Sequence, residues 1–116
     1  MALEIRPNTI DEFKKLKLTN ARASGLIYTD SDINTFRLLF DPERSLAVFE
    51  NGKIVGNVAS YYTDMTIPGG TFLPTAGVAQ VSVQATHRRK GILTMLMKRQ
   101  LKEINEREEP IAFLGA

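Results

Sequence analysis

Arg88, Arg89 and Lys90 follow one another and run directly into Gly91, and Gly91 opens a strongly apolar helical pattern. Three cations at a helix start are misplaced for stability, because the helix dipole there favours anions by roughly 0.3–1 kcal/mol per charge. A bound anion removes the misfit. Unpaired backbone N–H groups at such a start can cradle a phosphate, and Gly91 has no side chain to hold a phosphate oxygen away from them. Arg88 and Arg89 add charge-assisted, bidentate donors suited to a pyrophosphate. Neither common nucleotide fingerprint is present, since a Walker loop needs two glycines and Gly-Lys-Ser/Thr, and a dinucleotide fold needs three glycines. On these residues alone, two readings stand: a phosphate cradle, or a solvated basic helix start.

The flanking segments decide whether such a cradle can be held in place. Ala79, Val81 and Val83 alternate with Gln80 and Ser82, which predicts a strand over residues 77–83 ahead of the loop. After it, Leu93, Leu96, Met97, Gln100, Leu101 and Ile104 share one helical side, Glu103 and Arg107 are spaced as a surface pair, and Pro110 stops the helix. Ile111-Ala112-Phe113-Leu114 reads as a last strand. A strand–loop–helix–strand unit is a right-handed crossover if its strands are parallel neighbours.

Upstream, residues 3–6 alternate apolar and charged before Pro7, as in an edge strand. Thr9-Ile10-Asp11-Glu12 has the form of a capping box, followed by Phe13 and Leu16, so a helix is expected over about 9–23. A second helix should begin near residues 30–32, place Ile33, Phe36, Leu39 and Phe40 on one face, and stop at Asp41-Pro42. Asn51-Gly52 between two apolar runs marks a type I′ hairpin, with the second strand over 53–62. The expected order is β-α-α-β-β-β-α-β: an α/β fold, a mixed sheet with flanking helices, in a single domain over 1–116.

Composition narrows the chemistry. The 116 residues hold 15 basic and 13 acidic side chains, a net charge of +2, so only the local cluster at residues 87–90 has electrostatic weight. With no cysteine there is no disulfide, thiolate metal site or cysteine nucleophile, which suits a reducing cytoplasm. His87 is the one histidine, and no metal site is expected. No run approaches the roughly 20 apolar residues needed to cross a bilayer, and the start lacks the apolar core of a signal peptide, so no membrane partner is expected.

The stretch Val81-Ser82-Val83-Gln84-Ala85-Thr86-His87-Arg88-Arg89-Lys90-Gly91-Ile92-Leu93 resembles the acetyl-CoA signature of the GNAT superfamily of N-acyltransferases, a strand followed by Arg/Gln-x-x-Gly-x-Gly/Ala. The form Thr-His-Arg-Arg-x-Gly-Ile/Leu-Leu, with Leu-Met-x-x-Gln-Leu after it, is similar to the Eis-like (enhanced intracellular survival) acetyltransferases. The element order also resembles the GNAT order over essentially the whole chain. Leu93 stands where the general pattern has Gly or Ala, as the Eis-like pattern allows.

The resemblance implies that acetyl-CoA is the acetyl donor and an amine the acceptor, either an aminoglycoside-like small molecule or a lysine amine. Val81 and Val83, with Ser82 between them, would offer backbone hydrogen bonds to the pantetheine arm. The N–H groups of Arg88, Arg89, Lys90, Gly91, Ile92 and Leu93 would hold the pyrophosphate. A GNAT domain normally continues past its fifth strand and carries there a tyrosine that serves as general acid. The chain is therefore expected to be an amino-terminal part of such an enzyme, truncated after the fifth strand, whose last strand pairs with another copy or frays. No catalytic residue is assigned: residues 76–83 hold no carboxylate base, His87 is expected at the surface shaping the loop, and Tyr61 and Tyr62 are expected to pack. Two other readings are a CoA-binding fragment without turnover and a nucleic-acid-binding domain. The near-neutral charge and the lack of aromatics among the cations argue against the latter.

Overall fold

Asn51 and Gly52 both take positive φ, 51° and 76°, and turn strand β2 (Ser45–Glu50) into strand β3 (Lys53–Thr66). Those angles are the ones a type I′ turn requires, and Glu50 pairs with Lys53 across it. The computed structural model describes residues 3–38 and 40–114, and Leu39, expected on the second helix, lies outside them.

Five strands lie in the order β1-β2-β3-β4-β5, with β1 at Leu3–Pro7, β4 at Phe72–Val83 and β5 at Ile111–Leu114. All neighbours are antiparallel except β4 and β5, which are parallel over Thr75–Val78 and Ile111–Leu114. The crossover between those two strands is helix α3 (Ile92–Glu106). Helices α1 (Phe13–Ser24) and α2 (Asp30–Arg37) connect β1 to β2. The expected order of elements holds throughout.

The alternation along β2 explains the layering. Leu46 and Val48 point to one side, where they pack with Val55, Val58, Ile92 and Leu96; Ala47 and Phe49 point to the other, against Leu16 of α1. The sheet is thus covered by α3 on one face and by α1 on the other. Gly56 lets α3 settle close, since a Cβ there would lie 2.9 Å from Cγ2 of Ile92.

Several boundaries and faces differ from expectation. Ile10–Glu12 is a turn of 3-10 helix, and α1 proper begins at Phe13, with Glu12 accepting from the Thr9 N–H at 2.8 Å. Helix α2 ends at Arg37, well before Asp41-Pro42. Strands β3 and β4 run five or so residues beyond the expected hairpin, because antiparallel pairing continues from Tyr62↔Ala76 to Thr66↔Phe72. Residues 62–66 of that outer stretch are mostly solvated and so lack the alternation that marks a strand. On α3 the buried row is Ile92, Leu96, Gln100 and Ile104, while Leu93 and Leu101 are exposed. Glu103 pairs with Arg99 at 3.7 Å, not with Arg107, which donates to the Glu43 carbonyl at 2.6 Å.

Candidate cofactor-binding site

Strand β4 carries an irregularity that separates it into two parts. Asn57 pairs with Ser82 but Ala59 pairs with Ala79, so Gln80 and Val81 together oppose Val58, and Gln80 takes φ 56°. This is a β-bulge, which bends the strand and re-aims the residues after it. It is held by the side chain of Asn57, fully buried, which donates from Nδ2 to the Gln80 carbonyl at 2.9 Å. Ser82 Oγ lies 3.0 Å from both the Asn57 and the Asn20 Oδ1, tying the strand to β3 and to α1. The regular alternation expected over residues 77–83 is interrupted here. Val81, Ser82 and Val83, on the loop side of the bulge, line a cleft.

The loop beyond β4 is anchored at both ends of its short 3-10 turn, Ala85–His87. Gln84 donates its N–H to the Val55 carbonyl at 2.8 Å and its side-chain Nε2 to the Thr19 carbonyl at 2.9 Å. His87 is not the surface residue expected: its ring sits between Thr86, with Oγ1 2.7 Å from Nδ1, and Glu50, whose Oε2 is 3.2 Å from Nε2. This places the loop beside the end of β2. Arg88 donates from Nη2 to the Ala23 carbonyl at 3.4 Å, which gives an otherwise free carbonyl at the end of α1 a cationic donor.

Arg89 and Gly91 then take left-handed conformations, φ 64° and 77°, and Gly91 becomes the N-cap of α3. A left-handed N-cap without a side chain leaves the first N–H groups of α3 uncapped, and no acidic residue stands in the first turn to answer the dipole. The result is a cleft of about 430 Å³ whose walls include Val81, Ser82, Val83, Arg88, Arg89, Gly91, Ile92 and Leu93. Eight of the nine residues singled out from the sequence come together there. Lys90 is exposed and lies outside the lining. Ala23 and Ser24, from the far end of α1, complete the opposite wall, together with His87 and Thr94. No local pattern around residues 23–24 marks them, since they reach the cleft only through the packing of α1 on β4.

A strand end, an uncapped helix start and flanking arginines in one cleft are what a pyrophosphate-bearing ligand with a long polar arm requires. The chain matches the acetyltransferase (GNAT) domain family over residues 4–116. It belongs to the GNAT acetyltransferase family. An uncharacterized N-acetyltransferase of Streptomyces avermitilis is 35% identical over 117 residues, covering 100% of this chain and 29% of that protein. Among solved structures, Eis1 from Mycobacterium abscessus superposes with a TM-score of 0.82 at 32% identity, over 96% of this chain and 27% of that one. A predicted acetyltransferase of Clostridium acetobutylicum, solved with acetyl-CoA, shares the fold with a TM-score of 0.82 at 18% identity, over 99% of this chain and 81% of its own. The chain thus spans less than a third of the Streptomyces relative and of Eis1. This GNAT chain has no helix, among its described residues, long and apolar enough to cross a membrane.

A second pocket, about 680 Å³, opens on the other side of the bulge in this GNAT sheet. Gln80 lines it, whereas its neighbour Val81 lines the cleft. Tyr61 and Tyr62 stand in its wall, within β3 and not at the strand end expected. The Tyr61 oxygen accepts from Gln80 Nε2, and burial raises its phenol above the usual range. Tyr62 is exposed and donates to Asp64 at 2.9 Å, which raises it likewise.

Proposed function

We propose that the cleft binds acetyl-CoA and that the domain transfers its acetyl group to a primary amine. The observation that carries this reading is the uncapped start of α3 at a left-handed Gly91, in one cleft with the strand end that follows the Gln80 bulge. In this reading the backbone of Val81 and Val83 pairs with the pantetheine arm as an added strand would. The pyrophosphate rests on the N–H groups of residues 88–93, with Arg88 and Arg89 beside it. Membership of the GNAT family supports acetyl-CoA as the donor.

The reaction is direct attack of a neutral amine on the thioester carbonyl carbon. The C–N bond forms, the C–S bond breaks, and the thiolate of CoA leaves and takes up a proton. The domain contributes mainly position and backbone polarisation of the carbonyl, since the bulge holds the thioester between the two pockets. An aminoglycoside-like compound and a lysine amine are the two acceptors that the family likeness suggests. The absence of cysteine fits work in a reducing cytoplasm.

Thermal unfolding with and without acetyl-CoA tests the reading. At a hundredfold excess over its dissociation constant, a ligand confined to the folded state adds roughly 2.7 kcal/mol. The rise in midpoint should vanish in the double variant Arg88→Ala/Arg89→Ala. An amine-dependent release of CoA thiol then separates the enzyme from a domain that only binds. A folded chain whose midpoint ignores acetyl-CoA overturns the proposal.

A further inference from the structure

The pocket beside Gln80 holds a lysine that pairs with no carboxylate among the described residues, although Asp41 also lines that pocket. Lys17 projects from α1 and is only 3% exposed, yet its Nζ enters no hydrogen bond or ion pair among the described residues. Its surroundings are aromatic: Nζ lies 4.4 Å from the ring centroid of Phe36 and 5.8 Å from that of Phe13. The neighbouring lysines of the same helix do find oxygen, Lys14 at Asp30 (3.6 Å) and Lys15 at the Gly52 carbonyl (3.3 Å).

Of the two other charged residues in the lining, Arg44 is paired, and Asp41 has no ion pair among the described residues. Arg44 is held by both oxygens of Glu109 at 2.9 Å. Asp41 accepts from the Glu43 N–H at 3.0 Å. Tyr62 donates to Asp64, and Arg37, which is outside the lining, packs its guanidinium 5.7 Å from the Phe13 ring. An ammonium in a pocket wall loses part of its water, and a cation–π contact replaces only some of it.

We propose that this pocket admits the acceptor and that Lys17 receives a carboxylate carried by it. The acceptor class is a small primary amine with an apolar or aromatic body and a carboxylate, the body lying against Tyr28, Phe36 and Tyr61. This deepens the acetyltransferase reading and rests on it. A single ammonium between ring faces matches one carboxylate, whereas a polycationic amine would set like charge against Lys17, which disfavours the aminoglycoside-like compound of the two acceptors named above. Consecutive residues of the bulge line the two cavities, so an acceptor anchored on α1 has a short path to the thioester end of the cleft. Burial draws Lys17 down to about 8, and an arriving carboxylate acts in the opposite sense by favouring its charged form.

The test compares 4-(aminomethyl)benzoate with its uncharged counterpart 4-(aminomethyl)benzamide on the full chain, with and without acetyl-CoA. Binding is read by calorimetry, and the Lys17 side chain by NMR of carbon-13-labelled lysine. The acid should bind at least about tenfold more tightly than the amide, and should shift the Lys17 titration to higher pH. Lys17→Met should abolish the preference, and Lys17→Arg should retain part of it. If Lys17→Met fails to fold, the wild-type titration and the arginine variant still decide. Equal affinities, an unmoved Lys17 titration, or a preference that survives Lys17→Met overturns the proposal. Each can occur while acetyl-CoA still stabilises the chain, so the outcome is separate from that of the donor site.

Discussion

Arg44 and Glu109 meet through two parallel hydrogen bonds of 2.9 Å, although 65 residues separate them in the chain. The pair joins the entrance of β2 to the residues just before β5, and both side chains are almost fully buried, 9% and 3% exposed. It fastens the parallel strand that α3 returns to the sheet. Removing one partner of such a pair strands a buried charge, which costs about 3–5 kcal/mol. Arg44→Met and Glu109→Gln should each lower the stability measured by urea unfolding by that order. The double variant should lose less than the sum of the two, because no orphan charge remains.

Lys17 gives the stability a distinctive alkaline dependence. Its folded value, lowered to about 8 by burial, lies below the ordinary 10.5, so between those values the unfolded chain binds more protons than the folded one. Stability contributed by Lys17 therefore rises as pH increases from about 8 towards 10.5, by an amount on the order of 3 kcal/mol. Denaturant unfolding of wild type and Lys17→Met across that interval should show the rise in the first only. Tyrosine titration is common to both proteins and cancels in the difference.

Glu12 governs the acid limb with the opposite sign. Hydrogen bonds from Arg6 at 2.7 and 2.8 Å hold its carboxyl down at about 2, against an ordinary 4.5. Its contribution is fully present above about 4.5 and is lost as pH falls towards 2. Arg6 is 38% exposed, so solvent screening limits the effect to about 1 kcal/mol. Glu12→Gln should flatten the acid limb by that amount in unfolding measured between pH 5 and about 2.

Gly56 sets how closely α3 approaches the sheet, and with it the position of the start of α3. A methyl group there would meet Ile92 Cγ2 at 2.9 Å and the Ser82 carbonyl at 3.3 Å. Gly56→Ala should cost about 1–3 kcal/mol by overpacking and weaken acetyl-CoA binding together with stability, because Ile92 is the first residue of α3. In a double-mutant cycle with Ile92→Ala the two losses should not add, since the alanine leaves room for the new methyl.

Much of this domain could be read from local chemistry. The type I′ turn at Asn51-Gly52, the Thr9–Glu12 cap and the start of α3 at Gly91 each depend on residues a few positions apart, where turn and helix geometry act directly on residue type. The cleft lining was legible for the same reason, because a strand, a loop and a helix start that are consecutive in sequence stay adjacent in space. The bulge at Gln80 was not, since nothing in the alternation of residues 77–83 announces a left-handed residue; Asn57 imposes it from a neighbouring strand. The far wall at Ala23 and Ser24, the Arg44–Glu109 pair and the unanswered charge of Lys17 also arise only when distant segments pack. Sequence by itself determined the elements and the loop-to-helix junction at Gly91, where neighbours in the chain interact. Tertiary structure decided which polar groups were taken out of water and which of them found a partner, because burial depends on every segment that covers them.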